Sequence, residues 1–181
     1  SIVAGVLCLV AGLGWAADNL ITNGHFFVDG KTSVLGWPGC HANGGNANYS
    51  TNQKGTWFSN DPPDGDTWAL HLQSGTPGGD VHVTTGIWVP DGQAGVYSLS
   101  LDLCCRATAG RPSLAVFLDD REIARREMPA NASGTVWTRH SFEVPSVSEG
   151  AHTLTFYAVA MSSADGTLAM DDIRFELAYS Y

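Results

Sequence analysis

The chain is short of positive charge. It carries 9 Lys and Arg against 18 Asp and Glu, a net charge of −9. A protein that grips nucleic-acid phosphates needs a basic face, so that class of partner is excluded. The same sign disfavours an anionic membrane surface. No stretch shows sustained helical periodicity, which excludes a helical bundle. No nucleophile elbow, phosphate loop or zinc spacing is present among its 181 residues. There is therefore no positive signal for an enzyme, and a small hydrolase or lyase ranks behind the non-catalytic readings. Paired carboxylates would have to come from Asp102, Asp119, Asp120 and Glu143, whose separation the sequence does not set.

Cysteine is also scarce. The four are Cys8, Cys40, Cys104 and Cys105. Adjacent strand residues face opposite ways, so only one of Cys104 and Cys105 can readily meet Cys40. A pairing such as Cys40 with Cys105 would tie the loop after Trp37 to a central strand. A free or intermolecular thiol is the rival.

Long apolar runs are missing, with one exception. Ser1–Ala17 is apolar, charge-free and short for a bilayer span. Its small-residue end at Gly14-Trp15-Ala16 has the form of a secretory signal peptide. The expectation is a leader or retained hydrophobic segment over 1–17 and one folded domain over 18–181. A leader would put the domain outside the cell, secreted or at the cell surface, with no membrane attachment after processing.

What is plentiful is turn chemistry and alternation. The 21 glycines and clusters such as Asp61-Pro62-Pro63-Asp64-Gly65, Pro90-Asp91-Gly92 and Asp165-Gly166 punctuate short alternating runs. These runs include Thr67–Leu72, Val96–Leu103, Leu114–Leu118, Val136–Val144, His152–Ala158 and Leu168–Leu177. Leu118-Asp119-Asp120-Arg121 reads as a tight hairpin. Regularly spaced short strands with such turns indicate an all-β sandwich or jelly roll of antiparallel sheets. Pro38 to Asp66, rich in Gly, Asn and Ser, reads as one long irregular loop.

The alternation also assigns faces. Tyr97, Leu99, Leu101 and Leu103 point inward, while Ser100, Asp102, Cys104 and Arg106 point outward. Leu154 and Phe156 are inward and Tyr157 outward. Phe117 and Trp88 are outward in their runs. Trp37, Trp68 and Trp137 are read as packing residues. If the outward faces belong to one sheet, Tyr157, Arg106 and Asp102 form a concave platform. An aromatic face with planar polar groups is what a sugar ring requires. The candidate ligand-binding residues are Trp57, Trp88, Tyr157, Arg106, Asp102 and Phe117.

Two motifs bracket the domain. The first is Asn19-Leu20-Ile21-Thr22-Asn23-Gly24-His25-Phe26, followed by Gly36-Trp37. The last is Asp171-Asp172-Ile173. Asp64-Gly65, Val89-Pro90 to Ser100, and Trp137-Thr138 fall between them in order. Over Asn19–Leu177 the chain resembles the galactose-binding-domain-like jelly rolls. The likeness is to carbohydrate-binding modules of families four and nine and to cell-wall proteins of the same layout. The resemblance implies a secreted, non-catalytic module that binds a polysaccharide. It also implies a possible structural calcium joining the first loop to the last strand. The acidic residue of the opening pattern falls on Phe27, so Asp29, Asp171 and Asp172 are the candidate ligands. The alternative is a structural subunit of an extracellular filament, sheath or adhesive layer, self-associating through the N-terminal hydrophobic segment.

Overall fold

Alternation of apolar and polar residues becomes two packed antiparallel sheets in the computed structural model. It describes residues 18–28, 31–32, 36–43, 48–53, 58, 60–65, 68–74, 80–107, 110–129, 132–159 and 166–181. The strands in chain order are β1 (Phe27–Val28), β2 (Lys31–Thr32), β3 (Gly39–Asn43), β4 (Asn48–Gln53), β5 (Trp68–Ser74) and β6 (Asp80–Val89). There follow β7 (Gly95–Arg106), β8 (Ser113–Leu118), β9 (Arg121–Glu127), β10 (Ser133–Val147), β11 (Gly150–Val159) and β12 (Gly166–Ser180). One sheet runs β3-β6-β11-β8-β9 and the other β10-β7-β12-β5-β4. The short β1 and β2 pair with each other.

The inward residues of both sheets make one core. Leu99, Leu101 and Leu103 of β7, with Leu70 and Leu72 of β5, are buried with Val81 and Val83 of β6 and Leu154 and Phe156 of β11. Tyr97 stacks on Phe175 with ring centroids 4.9 Å apart, and its hydroxyl donates to the Gln93 carbonyl at 3.0 Å. That bond removes the cost of burying a phenol. Trp37 packs between Phe26 and Phe156, as a core residue should. Trp137 does not. It lies on the outer side of its sheet against Phe58, and its Nε1 donates to the Asn60 carbonyl at 2.9 Å.

The segment read as one long loop contains two strands. β3 and β4 form an edge of each sheet, and their residues Gly39–Asn43 and Asn48–Gln53 are mostly small and polar. An edge strand satisfies its backbone on one side only and needs no apolar alternation, so nothing in its sequence announced it.

The two terminal motifs meet, and a bulge explains how. In β12, Leu168 and Met170 are core residues, then Ile173 and Phe175. The phase changes because Asp171 pairs with Asp102 while Arg174 pairs with Ser100, leaving one extra residue in β12. Asp172 takes the extra position with a left-handed φ of 42°. The opening segment then closes the edge of β12 that β5 leaves uncovered beyond Met170. Leu20 N–H donates to the Phe175 carbonyl, and Ile173 N–H to the Gly24 carbonyl. The first seventeen residues lie outside the described ones, so the expected leader and its part in self-association do as well.

Candidate functional site

On the outer face of the β3-β6-β11-β8-β9 sheet, register lines up a row of chemically useful residues. His82 of β6 stands opposite Tyr157 of β11, Tyr157 opposite Ala115 of β8, and Ala115 opposite Arg125 of β9. A second row carries Thr84, Thr155, Phe117 and Glu122. Neighbouring strands lie about 4.8 Å apart, so a row of four spans about 14 Å. Tyr157 is the centre of an aromatic strip. Its ring lies 4.5 Å from His82, tilted 38°, and 5.5 Å from Phe117, edge to face. Ala115 is fully buried beneath these larger side chains.

A groove opens beside this strip, lined by Phe117, Asp119, Asp120, Arg125, Thr155, Tyr157 and Val159, with a volume of about 440 Å³. Its polar groups are held in place. Glu122 takes Arg125 by a two-pronged bond, Nε to Oε1 at 2.7 Å and Nη2 to Oε2 at 2.6 Å. That fork lowers the pKa of Glu122 and raises that of Arg125. Partial burial pushes the Asp119 carboxyl up, but bonds from His152 and the Thr153 N–H outweigh it and hold the group below its usual range.

Of the residues expected to bind ligand, Tyr157 and Phe117 sit together in this groove. Trp88 shares the sheet and is 62% exposed. It stands six residues along β6 from His82, about 20 Å at strand rise, so it is outside the groove. Trp57 lies outside the described residues. Asp102 and Arg106 belong to β7, in the other sheet. The single platform of Tyr157, Arg106 and Asp102 therefore does not form. Alternation fixes which way a side chain points relative to its own strand, whereas the assignment of β7 and β11 to different sheets is a matter of topology. The sequence reading did not single out His82, Thr155 or Arg125, and it named Asp119 and Asp120 only as possible paired carboxylates. His82 was within reach, because it has the same parity as Trp88 on β6.

Asp102 has structural work instead. It is nearly buried, and burial raises its pKa although Arg139 pulls the other way. Arg139 Nη1 donates to Asp102 Oδ2 at 3.2 Å, to Asp172 Oδ2 at 2.7 Å and to the Asp172 carbonyl at 2.9 Å. Its Nη2 donates to Ser100 Oγ at 2.8 Å. Arg174 Nε takes the other Asp172 oxygen at 2.8 Å.

This bears on the expected calcium. Asp29 lies outside the described residues. Asp172 is neutralised by two guanidiniums. Asp171 lies with His25 and Asp64, one ligand atom of each falling within 4.8 Å of the others. His25 Nδ1 is already 2.9 Å from Asp64 Oδ2. Calcium takes roughly six to eight oxygens, so this cluster would have to add backbone carbonyls and water to its two carboxylates to hold one.

The expected Cys40–Cys105 bond is corrected. Cys104 and Cys105 both carry free, buried thiols. As alternation requires, Cys105 faces the main core and Cys104 the cluster with Phe58 on the other side. Burial pushes Cys104 up to about 11 and Cys105 to about 12. The Cys40 side chain lies outside the described residues.

No family model matches the sequence, and no curated protein matches it. Solved structures do. A Stig cyclase, Fisc, from Fischerella sp. TAU, solved with an indole compound, superposes with a TM-score of 0.63 at 11% identity, over 92% of this chain and 100% of that one. A family 61 carbohydrate-binding module, TmCBM61, in complex with β-1,4-galactotriose gives 0.56 at 12% identity, over 91% and 100%. The fold is the galactose-binding-domain-like jelly roll. An α-L-arabinofuranosidase, MgGH51, shares that jelly roll with a TM-score of 0.61 at 16% identity, over 91% of this chain and 27% of the enzyme. Against a tailspike protein of bacteriophage CBA120, the chain spans 21% of the partner's length. At these identities the likeness carries the jelly-roll architecture alone.

Proposed function

We propose that this jelly roll is a non-catalytic carbohydrate-binding module of a secreted protein, and that it holds a polysaccharide against the Tyr157 strip. The observation that carries this reading is the register row His82–Tyr157–Ala115–Arg125 beside the groove. The tyrosine and phenylalanine rings offer apolar faces and edges to sugar C–H groups. Arg125, Asp119, Asp120 and Thr155 offer fixed donors and acceptors to hydroxyls. The apolar Ser1–Ala17 segment supports secretion. The β-1,4-galactotriose bound by the family 61 module makes β-1,4-galactan the first probe.

The test is affinity electrophoresis through gels of β-1,4-galactan and a panel of other polysaccharides, followed by calorimetry. One polysaccharide should retard the protein. Tyr157→Ala and Arg125→Ala should each weaken binding about tenfold, near 1.4 kcal/mol. Trp88→Ala should leave it unchanged. Retardation by no polysaccharide, or loss in Trp88→Ala with none in Tyr157→Ala, would overturn the reading.

A further inference from the structure

Two turns meet at His152. It is the third residue of β11, and its side chain is 10% exposed. Its Nδ1 lies 2.9 Å from Asp119 Oδ2 in the β8–β9 turn. Its Nε2 lies 2.9 Å from the Ser148 carbonyl and 3.4 Å from Ser148 Oγ, in the β10–β11 turn. Asp119 Oδ1 accepts from the Thr153 N–H at 2.9 Å, and the Asp119 N–H donates to the Thr153 carbonyl at 2.7 Å.

An Asp, a His and a Ser in this order have the outline of a hydrolytic triad. Donor chemistry argues for something else. Carboxylate and carbonyl oxygens only accept hydrogen bonds. Both ring nitrogens face such oxygens, a geometry that favours the doubly protonated ring. An imidazolium has no lone pair with which to take a proton from Ser148. The ring is a cationic clamp between two turns. Burial pulls its pKa down, but the bonds to Asp119 and the Ser148 carbonyl outweigh this and raise it.

One jaw of the clamp is a groove residue, since Asp119 lines the cavity with Phe117 and Tyr157. We propose that His152 is a positioning residue: as an imidazolium it fixes Asp119 at the groove rim, and its deprotonation weakens the binding of a polyhydroxylated ligand there. This rests on the carbohydrate reading of that groove. The charged neighbours on each packed element are few. The β8–β9 turn brings Asp119, its neighbour Asp120 and Arg121, which also lowers the Asp119 pKa. The β10–β11 turn brings Glu149, whose Oε1 accepts from the Gly92 N–H at 2.6 Å. On β6 the register neighbour of His152 is Ile87, which does not titrate.

The sign follows from the raised pKa. The clamp is complete below the ordinary histidine value and is lost as pH rises through the higher midpoint of the folded protein. The test pairs ring-nitrogen NMR titration of the free protein with binding at pH 6 and pH 8.5. The probe is the polysaccharide that retards the wild type. His152 should titrate above 6.5, and Asp119→Asn should lower that midpoint. Affinity should fall severalfold between the two pH values in wild type. In His152→Gln it should be weak at both and flat. A midpoint at or below 6.5, or unchanged affinity across a raised midpoint, would overturn the proposal. If no polysaccharide binds, the groove reading fails separately. The clamp is then decided by the Asp119 carboxyl carbon and the Phe117 amide: shifts that follow the His152 midpoint support it, and shifts that do not overturn it.

Discussion

The Asn19 side chain donates to the carbonyl of Ile173, the residue that the β12 bulge turns into the core, at 3.2 Å. The same side chain accepts from the Phe175 N–H at 2.9 Å and the Ile21 N–H at 3.0 Å. One amide thus satisfies two backbone groups of β12 just past the bulge residue Asp172 and caps its own turn. The two motifs that bracket the sequence are the two halves of this joint.

Gly24 sits so close to this joint that a Cβ would collide with the Ile173 carbonyl oxygen, and both contacting groups are backbone. Gly24→Ala should destabilise the domain by about 1–3 kcal/mol, the range for forced overpacking. Asn19→Ala should cost about 1–3 kcal/mol through partly buried groups left unsatisfied. Urea denaturation measures both. Losses under about 0.5 kcal/mol, the size of an ordinary surface change, would show that the joint carries little weight.

Stability should record the His152 clamp without any ligand. The raised His152 pKa gives a contribution that is complete below 6.5 and fades as pH rises through the folded midpoint. The lowered Asp119 pKa gives one that is complete above 3.8 and fades as pH falls through the folded midpoint. Wild type and His152→Gln should therefore differ most between these limits, by about 1 kcal/mol, because the Asp119 end is exposed. Urea midpoints at pH 3, 5, 6.5 and 9 check this. A difference that does not vary with pH would make His152 a mere packing residue.

Cys104 and Cys105 should resist alkylation in the native state at pH 8. Burial hides them, and their raised pKa values leave almost no thiolate. Both should react fully in denaturant, as mass spectrometry after iodoacetamide will show. Rapid native labelling of either would place it at the surface.

Chelation should leave the melting temperature unchanged, and added calcium should not raise it. Arg139 and Arg174 already neutralise the Asp172 carboxylate where the last strand meets the opening loop. A rise of several degrees with millimolar calcium would overturn this and point to the cluster of His25, Asp64 and Asp171.

The inward faces of β7, β8 and β11 were legible because large apolar residues recur there at every second position, as in Leu99-Leu101-Leu103, Leu114-Val116-Leu118 and Leu154-Phe156. So was the Asp119-Asp120 hairpin, where Asp119 takes a positive φ of 53°. β3 and β4 were not, since these edge strands carry no such recurrence. Of the candidate site, Tyr157 and Phe117 were visible as outward aromatics. Their partners were not: His82 reaches Tyr157 only across the β6–β11 pairing, which joins distant parts of the chain, and Arg125 is placed by a β8–β9 register that shifts between Val116 and Phe117.

The sequence by itself determined the class of fold, the inward half of each central strand and the two motifs that close the ends. These are local properties: period-two burial, turn chemistry and fixed backbone needs at single residues. The tertiary structure alone decided which outward residues share a face. It separated Asp102 and Arg106 from Tyr157, and it brought His82, Phe117, Arg125 and Asp119 to it. Parity along a strand sets a direction, and only the pairing of strands sets a neighbour.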